Sequence, residues 1–141
     1  MSTVLVTPSP TATTVAPPRR DRLRVAVAVP TEAATVCTVE GEVDLYTAGE
    51  LRSRLIGALR TAPPLLVVDL STVTFFGVAG LRVLIEARTW AGHNGVDLRL
   101  ITGPRCVERL FEVSGYAGAF EIVSGFSAIV PLIHPCLSHT G

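Results

Sequence analysis

Two short stretches of this sequence carry the polar side chains best suited to contact or to chemistry. They are Asp44, Tyr46 and Thr47 in the first stretch, and Ser71, Thr72 and Thr74 in the second. An aspartate or threonine in such a stretch commonly forms a turn or helix cap, and it is equally able to bind a partner. The hydroxyl groups are chemically able to accept a phosphoryl group, although bonding to their own backbone is the more common role.

Groupings typical of an enzyme or a metal site do not occur in the sequence. There is no Ser/His/Asp arrangement, no pair of carboxylates and no phosphate-binding glycine loop. The histidines, His93, His134 and His139, are scattered along the chain. We therefore expect a binding protein with no cofactor and no metal, rather than an enzyme.

The charge balance argues against nucleic acid as a partner. Twelve basic residues, all of them arginine, match twelve acidic residues, so that the formal net charge is zero. The first twenty residues lack the continuous apolar stretch of a signal peptide, and no stretch is long enough for a membrane span. We expect a cytoplasmic protein that is not inserted into the membrane.

Three cysteines, Cys37, Cys106 and Cys136, are too far apart and too few for a disulfide framework or a structural zinc site. Cys37 and Cys106 fall on apolar faces of predicted elements, so we interpret them as small buried hydrophobic residues. A redox switch at one of these two thiols remains an alternative hypothesis.

Composition divides the chain into a folded domain between two tails. Residues 1–20 are rich in Thr, Pro, Ser and Ala, which predicts a flexible tail. Residues 21–125 contain the periodic apolar patterns of a domain, and residues 126–141 form a second tail that is interrupted by Pro131 and Pro135. With 48% hydrophobic residues, one domain of this size can bury a sizeable core.

The strand patterns of the domain predict an α/β fold. Alternating apolar residues over 23–29 and 37–43 predict an antiparallel hairpin. The apolar run 65–68 predicts a central strand, which Asp69 closes by bonding the amides of a following loop. Because helices separate the later strands, we expect parallel neighbours in an α/β sandwich. Its mixed sheet would have four to five strands, with helices mainly on one face.

Three helices and a last strand complete the prediction. Thr47 and Glu50 have the spacing of a capping box, which predicts that the first helix starts at this point. The second helix is expected to end in a turn at 92–95, and the third to run from Pro104 to a glycine at Gly115. An edge strand is predicted at 120–123.

Two segments of the domain resemble the STAS family, named for sulphate transporters and anti-sigma factor antagonists. Residues 41–51, GEVDLYTAGEL, are similar to the family's G-E-[LV]-D, two variable residues and T-A at the start of a helix. Residues 67–81, VVDLSTVTFFGVAGL, look like its D-L-S strand end, its switch loop and the glycine that opens the next helix. With LFEVSG at 110–115, the resemblance covers residues 22–124 and implies the STAS fold.

The resemblance also implies a function in binding. Antagonists of this family dock onto an anti-sigma factor with a kinase-like ATP-binding fold, and so release a sigma factor. They do so through the loop before the second helix and the loop after the second strand. The implied partner-binding residues are Asp44, Tyr46, Thr47, Ser71, Thr74, Phe76, Gly77, Val78, Ala79 and Gly80. The alternative is a cytoplasmic accessory subunit of a membrane transport complex, since stand-alone STAS domains similar to this one also serve there.

One departure from the family pattern concerns its phosphorylation switch. In phosphorylated members the loop reads D-S-[ST]-G, and the partner kinase modifies the first serine. The corresponding residues here are Gly77, Val78, Ala79 and Gly80, so the phosphorylation position, Val78, has no hydroxyl group. The apolar stretch from Phe75 to Ala79 is either an exposed contact patch or part of the core.

Overall fold

A computed structural model describes residues 22–125 and residue 127. The tails predicted at 1–20 and 126–141 lie outside the described residues, apart from residue 127. The elements, in chain order, are β1 (Leu23–Thr31), β2 (Ala34–Val43), α1 (Ala48–Arg60), β3 (Leu65–Phe76), α2 (Val78–Asn94), β4 (Asp97–Ile101), α3 (Arg105–Ser114), a short 3-10 helix (Ala117–Ala119) and β5 (Glu121–Val123). This order confirms the predicted succession of strands and helices.

The five strands form one sheet in the order β1-β2-β3-β4-β5. β1 and β2 pair antiparallel, with Val27 opposite Cys37, as expected of a hairpin. The other neighbours are parallel, and Val68 of β3 lies between Cys37 of β2 and Leu100 of β4. The predicted mixed sheet is therefore confirmed, with β3 at its centre.

The helices pack on one face of this sheet. Buried apolar side chains of α1, α2 and α3 all belong to a single cluster, together with Leu66 and Val68 of β3. Leu65 and Val67 point to the opposite face, because successive strand residues alternate, and they belong to a second cluster formed by strand residues of the described chain. Burial on both faces explains why the central strand has a continuous apolar sequence.

β3 is longer than its apolar run predicted. The expected loop after Asp69 is wrong, because the strand continues to Phe76 alongside β2. Two register shifts in this pairing disturb the period of two that would have indicated a strand. The hydroxyls of Thr72 and Thr74 donate to the carbonyl groups of Val39 and Gly41, at 3.0 and 3.2 Å. Their β-branched side chains favour a strand as much as a turn.

The helix ends agree with the predictions in part. Gly115 has a φ of 81° and ends α3, and Pro104 directly precedes its first residue. The predicted turn at 92–95 is wrong in extent, because α2 continues through Asn94 and only Gly95 takes the left-handed conformation, with φ 69°. None of the helices in the described residues is long and apolar enough to cross a membrane.

Candidate functional site

The two segments that resemble the family motifs meet at one end of the sheet. Val43, the last residue of β2, pairs with Phe76, the last residue of β3. The amide of Gly77 donates to the carbonyl of Val43 at 2.9 Å, which joins the two strand ends directly. Because α1 and α2 begin just beyond, the turn at 44–47 and the first turn of α2 lie side by side.

A shallow groove of about 490 Å³ runs between these two segments. Its lining residues, which we call the strand-end surface, are Asp44, Leu45, Phe75, Gly77, Val78, Ala79 and Arg82. Leu45 is 77% exposed, Val78 57% and Phe75 51%, and the neighbouring Tyr46 is 60% exposed. Large apolar side chains that share one exposed patch are uncommon on a monomer and mark a contact site more often than an isolated leucine does.

Three of the predicted partner-binding residues lie beneath this surface. Thr47 and Phe76 are only 2% and 4% exposed, and Gly80 is buried as well. A Cβ atom on Gly80 would lie 2.6 Å from Cγ1 of Val43 and 2.9 Å from the ring of Phe76. Gly80 and Phe76 pack α2 against the strand ends, whereas Thr47 is bonded within the turn before α1, so any effect of the three on a partner is indirect. Both alternatives for the apolar stretch 75–79 therefore hold in part: Phe75 and Val78 are exposed to solvent, and Phe76 is buried in the core.

Asp44 organises the turn between β2 and α1. Its Oδ1 accepts hydrogen bonds from the amides of Tyr46 and Thr47, at 2.9 and 3.0 Å. The Thr47 hydroxyl accepts from the Asp44 amide and donates to the Glu42 carbonyl, both at 2.9 Å. The predicted capping box is therefore wrong, since the Thr47 side chain makes no cap bond to α1. The Asp44 side chain is still 23% exposed, and its contact with a partner remains a prediction.

The environment of Asp44 favours its charged form. Partial desolvation raises the pKa of this carboxyl group, but the hydrogen bonds from Thr47 and Tyr46 and the charge of Arg22 outweigh it, so the pKa lies below its ordinary value. Arg22 Nη2 lies 3.5 Å from Asp44 Oδ2. A lowered folded-state pKa contributes stability above the unfolded-state pKa of about 3.9, and this contribution is lost as the pH falls through the folded-state value.

We expect Asp44→Asn to be less stable than the wild type at pH 7, by an amount that shrinks as the pH falls below about 4. The asparagine oxygen still accepts the two amide bonds, so the substitution isolates the charge. Urea denaturation of both proteins at pH 7 and at pH 3 measures the difference. A gap that is the same at both pH values would show that the charge of Asp44 does not contribute.

Ser71 and Thr74 do not join the strand-end groove. Asp69 is buried, and its Oδ1 accepts the Ser71 amide at 2.9 Å; because β3 continues past Asp69, this bond lies within the strand and not in the predicted loop. Ser71 lies beside the loop after β4, where its Cα would be 3.5 Å from a Cβ on Gly103. Thr74 is exposed, and its hydroxyl is bonded to Gly41. Their roles as partner contacts remain predictions.

The two cysteines of the described residues differ in their surroundings. Cys37 is fully buried, and burial raises the pKa of its thiol to about 11 although the charge of Arg54 acts in the opposite direction. Such a thiol is almost entirely protonated at neutral pH and is a poor nucleophile, which disfavours a redox switch at this position. Cys106 is half-buried. Within residues 22–125, His, Cys, Asp and Glu side chains do not form a group of three that could hold a metal ion.

The predicted partner-binding residues omit three residues of the strand-end surface, although one of them, Phe75, belongs to the apolar stretch that the sequence offers as a contact patch. Leu45 continues the apolar alternation of β2 and so resembles a core residue, but the chain has already left the strand at Asp44. Phe75 could not be distinguished from Phe76 without the register of β3. Arg82 was within reach of the sequence, because it stands four residues after Val78 and therefore on the same face of α2.

Comparisons with known proteins identify the family of this chain. The model of the STAS domain matches residues 25–129. The chain is 39% identical over 89 residues to the anti-sigma-F factor antagonist RsfB of Mycobacterium tuberculosis, covering 63% of this chain and 72% of the relative. It is 30% identical over 94 residues to RsfA of the same organism, covering 64% and 73%.

Solved structures share the fold. An anti-sigma factor antagonist from Mycobacterium paratuberculosis superposes with a TM-score of 0.69 at 24% identity, covering 84% of this chain and 97% of that one. Unphosphorylated SpoIIAA, also an anti-sigma factor antagonist, superposes with a TM-score of 0.60 at 18% identity, covering 75% and 93%. The family model, which spans most of the described residues, confirms the resemblance found in the motifs: the chain belongs to the STAS domain family.

Proposed function

We propose that this protein is an anti-sigma factor antagonist, which binds an anti-sigma factor and thereby releases a sigma factor. The observation that carries the proposal is the strand-end surface, where Leu45, Phe75 and Val78 expose apolar side chains around one groove. The curated relatives RsfA and RsfB are named antagonists of an anti-sigma factor, which supports the same role. The protein would act in the cytoplasm, by binding and not by catalysis.

The proposed partner is an anti-sigma factor with a kinase-like ATP-binding fold. The partner would cover the exposed parts of these side chains, and each contributes roughly 1 kcal/mol or more when removed from water. Several such contributions are needed to offset the entropy lost on association. Asp44 and Arg82 also line the groove, and charged groups at an interface act mainly on specificity and on the rate of encounter.

We infer that the strand-end surface has no phosphorylation switch at Val78, one of its lining residues. Val78 is the first residue of α2, and the resemblance implies that phosphorylated members of the family carry serine at this position. A phosphoserine would add about −1.5 to −2 charges to an apolar patch and would oppose docking. Since valine cannot form a phosphoester, we infer that this protein is not switched off by phosphorylation at this position.

A pull-down of the tagged protein from its own cells, followed by intact mass spectrometry, tests the proposal. We expect recovery of a kinase-fold anti-sigma factor together with an antagonist that carries no phosphate. The purified protein should then displace the sigma factor from that anti-sigma factor, both with and without ATP. Recovery of a permease complex would instead support the transport alternative, and an absence of displacement would refute the proposed function.

A further inference from the structure

β1 lies at the edge of the sheet, but its sequence is typical of a strand in the interior of a sheet. Among the described residues, β2 is its only strand neighbour. Residues 26–30 are all exposed, including Val27 at 42% and Val29 at 65%. A strand that is apolar on both faces normally lies between two others, and exposed edges are usually protected by charged side chains. Residues 25–29 of β1 contain neither a charged residue nor proline, and Pro30 and the register shift between Ala28 and Thr31 limit the open edge to this segment.

The free hydrogen-bonding groups of β1 can be assigned from its register with β2. The amide of Glu42 donates to the carbonyl of Arg22 at 2.8 Å, which makes these two residues a hydrogen-bonded pair. Hydrogen-bonded and non-hydrogen-bonded pairs alternate along an antiparallel ladder, so the pair of Ala26 and Thr38 is bonded in the same way. The amide and carbonyl groups of Val25 and Val27 therefore point away from β2, toward the open edge.

The middle of β1, which includes buried Val25 and exposed Val27 and Val29, is symmetric in sequence. Residues 25–29 read Val-Ala-Val-Ala-Val, which is the same in both directions about Val27. If two copies of this segment pair antiparallel about Val27, Val27 faces its own copy and Val25 faces Val29. Alanines then face alanines on the other side of the sheet. Facing β-branched residues stabilise a sheet, and Arg24 would face Pro30, so that no like charges oppose each other.

We propose that β1 pairs with β1 of a second copy of this chain about a two-fold axis at Val27. The pairing joins the two five-stranded sheets into one continuous sheet and gives an isologous dimer. Val27 lies beside Cys37, in the first half of β2, whereas the strand-end surface follows Val43 at the other end of that strand. Each copy therefore keeps its strand-end surface free, and the dimer does not depend on the proposed function.

Sedimentation equilibrium of the full chain over a series of concentrations tests this dimer. The wild type should approach twice the 14.9 kDa mass of one chain. Val27→Lys places two ammonium groups directly opposite each other, where paired Cα atoms are about 5.5 Å apart, and should raise the dissociation constant at least tenfold. Val113→Lys is the control, because Val113 is 71% exposed on α3, outside β1, and its variant should remain dimeric.

Three results would overturn the proposal. They are a wild type that stays monomeric at several hundred micromolar, a Val27→Lys variant that dimerises as strongly as the wild type, and a dimer that only Val113→Lys disrupts. A thermal melt of each variant shows whether it is folded, and half-exposed Val27 should tolerate lysine.

Discussion

Replacing Val78 with glutamate should weaken binding of the proposed anti-sigma factor partner by about a hundredfold or more, equivalent to about 2.7 kcal/mol. The new carboxylate would lie among the exposed apolar side chains that line the groove, and docking would remove it from water. Val78 is 57% exposed, so the substitution does not disturb the core.

The fold of this variant should be at least as stable as that of the wild type. A glutamate at the first position of α2 interacts favourably with the helix dipole, and α2 has no acidic residue in its first turn. Arg82, four residues later, can also pair with it. Loss of binding without loss of stability would therefore locate the effect at the interface.

Isothermal titration with the recovered anti-sigma factor and a thermal melt measure the two quantities separately. Val113→Glu adds the same charge at an exposed valine outside the strand-end surface, and it should bind like the wild type. Undiminished affinity of Val78→Glu would mean that the partner does not use this groove.

Replacing Gly41 with alanine should cost about 3 kcal/mol of folding stability or more. Gly41 has a φ of 98°, which side chains rarely adopt, and a Cβ there would lie 2.1 Å from the carbonyl oxygen of Arg22. Because the obstacle is the backbone directly before β1, the clash is relieved only by moving the start of β1 away from β2.

Urea denaturation of the variant measures this loss, and Gly49→Ala serves as the control. Gly49 lies in α1, and a Cβ there would meet nothing within 4 Å. Alanine should therefore stabilise the helix by up to about 1 kcal/mol. Equal stability of Gly41→Ala and wild type would show that the hairpin tolerates another conformation at this residue.

The sequence predicted the sheet and helices because their apolar patterns are long and regular. The alternation in β1 and β2 and the continuous apolar run at 65–68 follow from the geometry and burial of a single strand. Such patterns are visible in a short stretch of sequence. The end of β3 was not predictable in this way. Beyond Asp69, β3 pairs only with β2, and the register shifts break the alternation that Val73 and Phe76 would otherwise display.

The candidate site was predictable in position but not in detail. The two motifs located the turn at 44–47 and the residues before α2, and the structure brings them together. The sequence could not tell that Phe75 faces solvent while Phe76 fills the core, or that Asp44 rather than Thr47 caps the turn. Those outcomes depend on how two strands end beside each other, which is a tertiary property.

Gly77 is the only residue between β3 and α2, and its amide is fixed to the carbonyl of Val43. The groove is therefore built on the ends of β3 and α2 and on the short turn at 44–47, in which two backbone amides are already bonded to Asp44. When a partner docks there, the backbone of this protein loses little conformational entropy. More of the interaction energy therefore appears as affinity. Encounter and orientation, and not rearrangement of this chain, would then set the association rate.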